Sequence, residues 1–118
     1  MFIDNLEKIR YRMNAAAART NRDGGAIGLV VVTKYASLTA VRDALNSGRV
    51  LEVGESRVQD AEKKKRELGE LAGKVRWRLI GHLQTNKAKK AVQTFDAVDS
   101  VDSAKLAAAL DSALTGSD

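Results

Sequence analysis

The run "GLVVVT" at residues 28–33 does most to limit what this chain can fold into. Its residues are apolar and β-branched without polar alternation. That composition predicts a strand covered on both faces, and such strands belong to parallel sheets. Helical spacing surrounds it. Upstream, Ile3, Leu6, Ile9, Met13 and Ala17 form one apolar stripe, the mark of an amphipathic helix. Asp4 and Glu7 have capping-box spacing at its start, and "NRDGGA" breaks it. Downstream, "SLTAVRDALNSG" sets Leu38, Val41 and Leu45 on one helical face, with Gly48 as a C-terminal stop. "RVLEVG" is a second strand. "SRVQDAEKKKRELGEL" is a charged helix, with Ser56 and Gln59 in capping-box spacing. "KVRWRLIG" puts Val75, Trp77 and Leu79 on one side and Arg76 and Arg78 on the other, with Trp77 in the core. "TNKAKKAVQTF" is a helix capped by Thr85 or Asn86. "DAVDSV" is a fourth strand, "DSAKLAAALDSAL" a last helix and "TGSD" a frayed end.

The order is therefore one helix followed by four βα units, which predicts a parallel sheet with right-handed crossovers. Strands recur every ~20 to 25 residues, which suits a small doubly wound sheet or part of a (β/α)8 barrel. "GGAIG" precedes the first strand, the wrong side for a dinucleotide turn. The 118 residues suit a single domain, 1–118.

Composition removes several classes of function. Cysteine is absent, which excludes disulfides and thiolate chemistry and fits a cytoplasmic protein. His82 is the one histidine, so a multi-histidine metal centre within the chain is excluded. No apolar run approaches the roughly 18 residues of a membrane span, and Met1–Arg10 is too charged for a signal peptide. The net charge of +5 is dispersed. Its concentrations, Lys63–Arg66 and Lys87–Lys90, lie inside helical patterns and read as solvated faces rather than a nucleic-acid surface.

Parallel α/β folds bind ligands at the C-terminal ends of their strands. This chain places Thr33, Lys34 and Tyr35 there after strand one, and Gly54, Glu55 and Ser56 after strand two. Gly81, His82, Leu83, Gln84, Thr85 and Asn86 follow strand three, and Asp99 and Ser100 follow strand four. Lys34 suits carbonyl chemistry. An amine attacks an aldehyde only when neutral, and partial burial beside other cations favours that form. Arg76 and Arg78 would supply such a field if they point inward. Tyr35 is expected on the opposite side of the backbone from Lys34 if strand geometry persists.

These blocks resemble the pyridoxal phosphate (PLP) homeostasis proteins, which share their barrel with the N-terminal domain of alanine racemase. "LVVVTK" is similar to the family's V-S-K strand and lysine, and "VGESRVQDAEKK" to its F-G-E-N-x-V-Q-E block. "WRLIGHLQTNKAKK" is similar to W-H-F-I-G-x-L-Q-S-N-K, and "DAVDSVDSAKLAAAL" to a region reading roughly S-V-D-S-x-K-L-A. "NLEKIRYRMNAAAART" is similar to the opening helix. The resemblance implies a PLP Schiff base on Lys34, with Glu55, Ser56, Arg78, Gly81, His82, Gln84 and Asn86 around the cofactor. It also implies a carrier or regulator of free PLP rather than an enzyme, with no metal.

Three departures accompany it. Ser56 stands where the family has Asn, and Arg78 where it has His. The chain is also about half the family's length, so the resemblance implies the N-terminal half of an alanine racemase-like barrel, without the family's phosphate-binding loops. Charge-assisted bonds to a phosphate are each worth about 1.5–3 kcal/mol, so losing two or three weakens binding by several powers of ten. A half-barrel leaves two open edges, which a homodimer or a complementary half-barrel would close. The competing function is a cofactor-free half-barrel that serves as a structural or interaction module.

Overall fold

The computed structural model describes residues 2–116. Its elements follow the expected order: α1 (Phe2–Arg19), β1 (Val30–Val32), α2 (Leu38–Asn46), β2 (Glu52–Glu55), α3 (Val58–Leu68), β3 (Arg76–Leu79), α4 (Ala88–Thr94), β4 (Ala97–Val98) and α5 (Ala104–Thr115). Short 3-10 turns lie at Gly24–Ala26, Gly69–Lys74 and Thr85–Lys87. The four strands form one sheet in the order β1-β2-β3-β4, every pair parallel.

That order separates the two topologies the spacing allowed. A doubly wound sheet reverses its strand order at a switch point; this one does not. Right-handed crossovers that always step the same way leave every helix on one face, as in a barrel wall. The register assigns the faces. Val31, Val53 and Trp77 share one, with Glu55, Leu79 and Val98 further along it. Val53, Trp77 and Leu79 are buried there against Val41, Leu45, Ala61, Ala91 and Leu106 from the helices. Burying each large apolar side chain contributes about 1.5–3 kcal/mol. Trp77 also donates its indole N–H to the Ala72 carbonyl at 2.9 Å.

The other face carries Val30, Glu52 and Arg76, then Val32, Gly54, Arg78 and Ala97. Among the described residues no helix covers it, and Val32 is 48% exposed. The reading of β1 as covered on both faces is corrected here. Its unbroken apolar run meets the core on one side only, because the crossovers supply a single helical layer.

Helix ends follow sequence signals unevenly. Ser37 caps α2 by accepting from the Ala40 N–H at 3.1 Å, and Ser103 caps α5 through Leu106 at the same distance. Gly48 takes the expected left-handed conformation, φ 72°. The Asp4–Glu7 capping box does not form: α1 already runs from Phe2, with Asp4 inside its first turn. Of the expected α1 stripe, Leu6 and Ala17 are buried and Ile9 is exposed. In the expected frayed end, Thr115 closes α5 and Gly116 is its left-handed cap, while residues 117 and 118 lie outside the described set, as does Met1.

Candidate functional site at the strand C-termini

The rim begins where β1 gives way to a turn. Thr33 still pairs with β2, its N–H donating to the Gly54 carbonyl at 3.0 Å. The chain then reverses through Lys34 and Tyr35, and the Ala36 N–H returns to the Thr33 carbonyl at 3.1 Å. Tyr35 has φ 67°, a left-handed conformation unusual for an aromatic residue. Strand geometry therefore ends before Tyr35, and the expected opposition of the two side chains is replaced by contact. The Lys34 ammonium lies 5.8 Å from the Tyr35 ring centroid, within cation–π range. Both residues are exposed, Tyr35 at 97%. Among the described residues Lys34 has no ion pair.

Beyond β2 and β3 the backbone packs so tightly that a glycine is required. A Cβ on Gly81 would fall 2.2 Å from the Ser56 carbonyl oxygen. Ser100 Oγ donates to the Gly81 carbonyl at 2.5 Å, tying in the segment after β4. His82 Nδ1 lies 3.7 Å from Asp102 Oδ2, both well exposed. Ser56, His82 and Gln84 line a shallow cleft of about 210 Å³ with Val58, Gln59 and Lys87. Asn86 lies apart, in a groove of about 610 Å³ between α3 and α4 with Glu62, Lys90 and Gln93.

Two expected caps are corrected. Helix α3 starts at Val58, with Arg57 at its N-cap and no side-chain cap bond, so Ser56 does not cap it. Neither Thr85 nor Asn86 caps α4. Both sit in a 3-10 turn, and Lys87 holds the N-cap position without a side-chain bond.

Arg78 lies on the open face, as alternation predicted, but its charge is already committed. Its Nε donates to Glu52 Oε1 and a terminal nitrogen to Asp99 Oδ1, both at 2.7 Å. The hydrogen bond to Glu52, then that to Asp99, hold the guanidinium pKa above its ordinary value. Arg76 Nε also lies 3.7 Å from Glu52. The positive field anticipated from these arginines is thus largely balanced, and Glu52 balances it. Sequence reading missed Glu52 because it opens β2, at the strand's N-terminal end rather than at the C-terminal rim; its place opposite Arg76 follows only from the register.

Glu55 faces the helical layer, 1% exposed, on the sheet face opposite Arg78. Its Oε2 accepts from the Thr33 hydroxyl and, at 2.6 Å, from Lys64 Nζ of α3. Lys64 also donates to the Thr33 carbonyl at 2.8 Å. The next lysine, Lys65, donates to the Thr94 carbonyl at 2.7 Å and lies 5.8 Å from the Trp77 ring. The Lys63–Arg66 run is therefore not uniformly the solvated face it resembles; two of its lysines reach inward.

No protein-family model matches the chain. Among curated proteins it is 36% identical to the pyridoxal phosphate homeostasis protein of Pseudomonas aeruginosa over 104 residues, covering 88% of this chain and 44% of that protein. The protein of the same name from Escherichia coli K12 is 33% identical, with 90% and 45% covered. The chain is a homologue of the pyridoxal phosphate homeostasis proteins. It spans about half the length of these curated relatives. Among solved structures, PipY of Synechococcus elongatus PCC7942 with PLP bound aligns with a TM-score of 0.71 at 38% identity, over 87% of this chain and 47% of PipY. A protein of unknown function from Bifidobacterium adolescentis aligns at TM-score 0.85 and 26% identity, over 96% of this chain and 49% of its own. Homology to this family accords with the strand-lysine, "GES" and "IGHLQTNK" blocks. Among the described residues no helix is long and apolar enough to cross a membrane.

Proposed function

We propose that this chain takes up PLP through Lys34 and holds it without turning it over, as a carrier; its relatives are named for PLP homeostasis. The position of Lys34 carries this reading. It is an exposed amine without an ion pair among the described residues, on the turn after β1, at the rim where parallel sheets bind ligands. PLP would supply an aldehyde on an electron-withdrawing ring. Lys34 would hold it through Nζ, which in its neutral form could capture that aldehyde covalently with loss of water.

The residues present fit the reacting end of the group. Gly54 puts no side chain on the open face beside β1. Arg78 is held in place by Glu52 and Asp99. Ser56, His82 and Gln84 would offer hydrogen bonds from their cleft, and Gly81 sets its spacing. Asn86 would act from the adjoining groove, and Glu55 from beneath the Lys34 turn. The phosphate is served less well, since the nearest candidate guanidinium already shares its charge with two carboxylates. Weak, reversible uptake is the expected result. The relatives are named homeostasis proteins rather than enzymes, which supports a non-enzymatic role, and the cysteine-free composition accords with a cytoplasmic setting.

The test is to mix the protein with PLP, reduce with borohydride and map the adduct by mass. One adduct, confined to Lys34 and rising toward one per chain only as PLP is raised, is expected, and Lys34→Ala should abolish it. Scattered labelling over many lysines would sink the proposal. The exposed sheet face and the two edge strands favour a second reading beside it. In that reading the half-barrel associates with a second copy or a complementary half-barrel, with or without the cofactor.

A further inference from the structure

We propose that Lys64 is a positioning residue for Lys34. This inference rests on the reading of Lys34 given above. The residue before Lys34 is held at three points. The Thr33 N–H bonds to Gly54, the Thr33 hydroxyl bonds to Glu55 Oε2, and the Thr33 carbonyl accepts from Lys64 at 2.8 Å. The same ammonium binds Glu55 Oε2 at 2.6 Å. One lysine on α3 thus joins both halves of the anchor, the carboxylate and the carbonyl, from beneath the sheet.

Little else fixes the turn. Lys34 and Tyr35 are exposed, and Tyr35 sits in a left-handed conformation that its side chain disfavours. Such a conformation persists only where the surroundings over-determine it. Across the turn runs a single backbone bond, from the Ala36 N–H to the Thr33 carbonyl that Lys64 also holds. Glu55 depends on Lys64 as well. Its carboxylate is 1% exposed and its Oε1 accepts no hydrogen bond among the described residues. A carboxylate that loses the one cation paired with it among the described residues will reorient or draw in water, and Thr33 will move with it. Lys64 never touches the reacting aldehyde; it acts through Thr33.

The test compares the intact chain with Lys64→Met, Lys64→Arg and the double variant Glu55→Gln/Lys64→Met, which removes both charges together. Two readouts are taken: hydrogen exchange of the Ala36 amide without PLP, and borohydride trapping of PLP at Lys34. In Lys64→Met and in the double variant, Ala36 exchange is expected to rise about tenfold and Lys34 trapping to fall about tenfold, with the rest of the sheet still protected. Lys64→Arg should restore most of both. A folded double variant that keeps Ala36 protection and Lys34 trapping would overturn the inference. So would failure of both Lys64→Met and the double variant to fold, because Lys64 would then hold the fold rather than the turn. If the unsubstituted chain shows no Lys34-specific trapping, the PLP reading fails, and Ala36 exchange still decides whether Lys64 holds the turn.

Discussion

Gly81 and Tyr35 show how single residues shape this rim. Gly81 has no alternative: the Cβ of any other residue would meet the Ser56 backbone at 2.2–2.9 Å. Backbone on both sides of the contact cannot swing away as a side-chain tip would. Gly81→Ala is expected to lower stability by about 1–3 kcal/mol, as overpacking does, and to enlarge the cleft at His82. Urea denaturation read by Trp77 fluorescence checks the first part, since Trp77 is buried in β3, the strand that leads to Gly81. Tyr35 is the reverse case, a residue in a conformation it disfavours and packed against nothing but the neighbouring ammonium. How far the sequence revealed the site follows the same division. Lys34, Gly81 and His82 were legible because each lies at the end of an apolar run. Glu52, Asp99, Thr33 and Lys64 were not read as acting together. Their bonds join residues far apart in the chain, as from Lys64 to Thr33 or Arg78 to Glu52, and no local spacing encodes such pairs.

The helices and strands were legible in number, order and type because β-branched runs and 3.6-residue stripes differ in period. Their ends were less so. Ser56 and Gln59 have the spacing of a capping box, yet the chain is still leaving the sheet at Ser56. The Ile80 N–H donates to the neighbouring Glu55 carbonyl at 2.9 Å, and Gly81 presses on the Ser56 backbone. Tertiary packing thus claims Ser56 before it can cap, and α3 starts behind Arg57, whose side chain cannot accept a bond. An acceptor at that position is expected to help. Arg57 has extended N-cap dihedrals, φ −134° and ψ 138°. Arg57→Asp should raise stability by about 1 kcal/mol through the cap bond and the helix dipole. Thermal unfolding of the two proteins side by side is the measurement, and an unchanged or lower midpoint would contradict the assignment.

As a whole the molecule is a slab of 45 × 35 × 21 Å with a radius of gyration of 16.0 Å. A globular chain of this length would have a radius of about 13.5 Å. The difference comes from a sheet with helices on one side only. If two copies close one eight-stranded barrel, native gel filtration should report about twice the 12.7 kDa chain mass at micromolar protein. A single-chain mass across that range would remove the homodimer reading and leave PLP uptake to be judged by Lys34 alone. The two borders of the sheet matter to this outcome. β1 and β4 run in the same direction and turn unlike sides outward, so the outer side of β4 can continue into the outer side of β1 of another copy. Every copy therefore carries both a plug and a socket. If the sheet curves enough, two copies satisfy each other and growth stops; if a substitution flattens it, the same pairing never closes and the chain becomes the repeat unit of a filament.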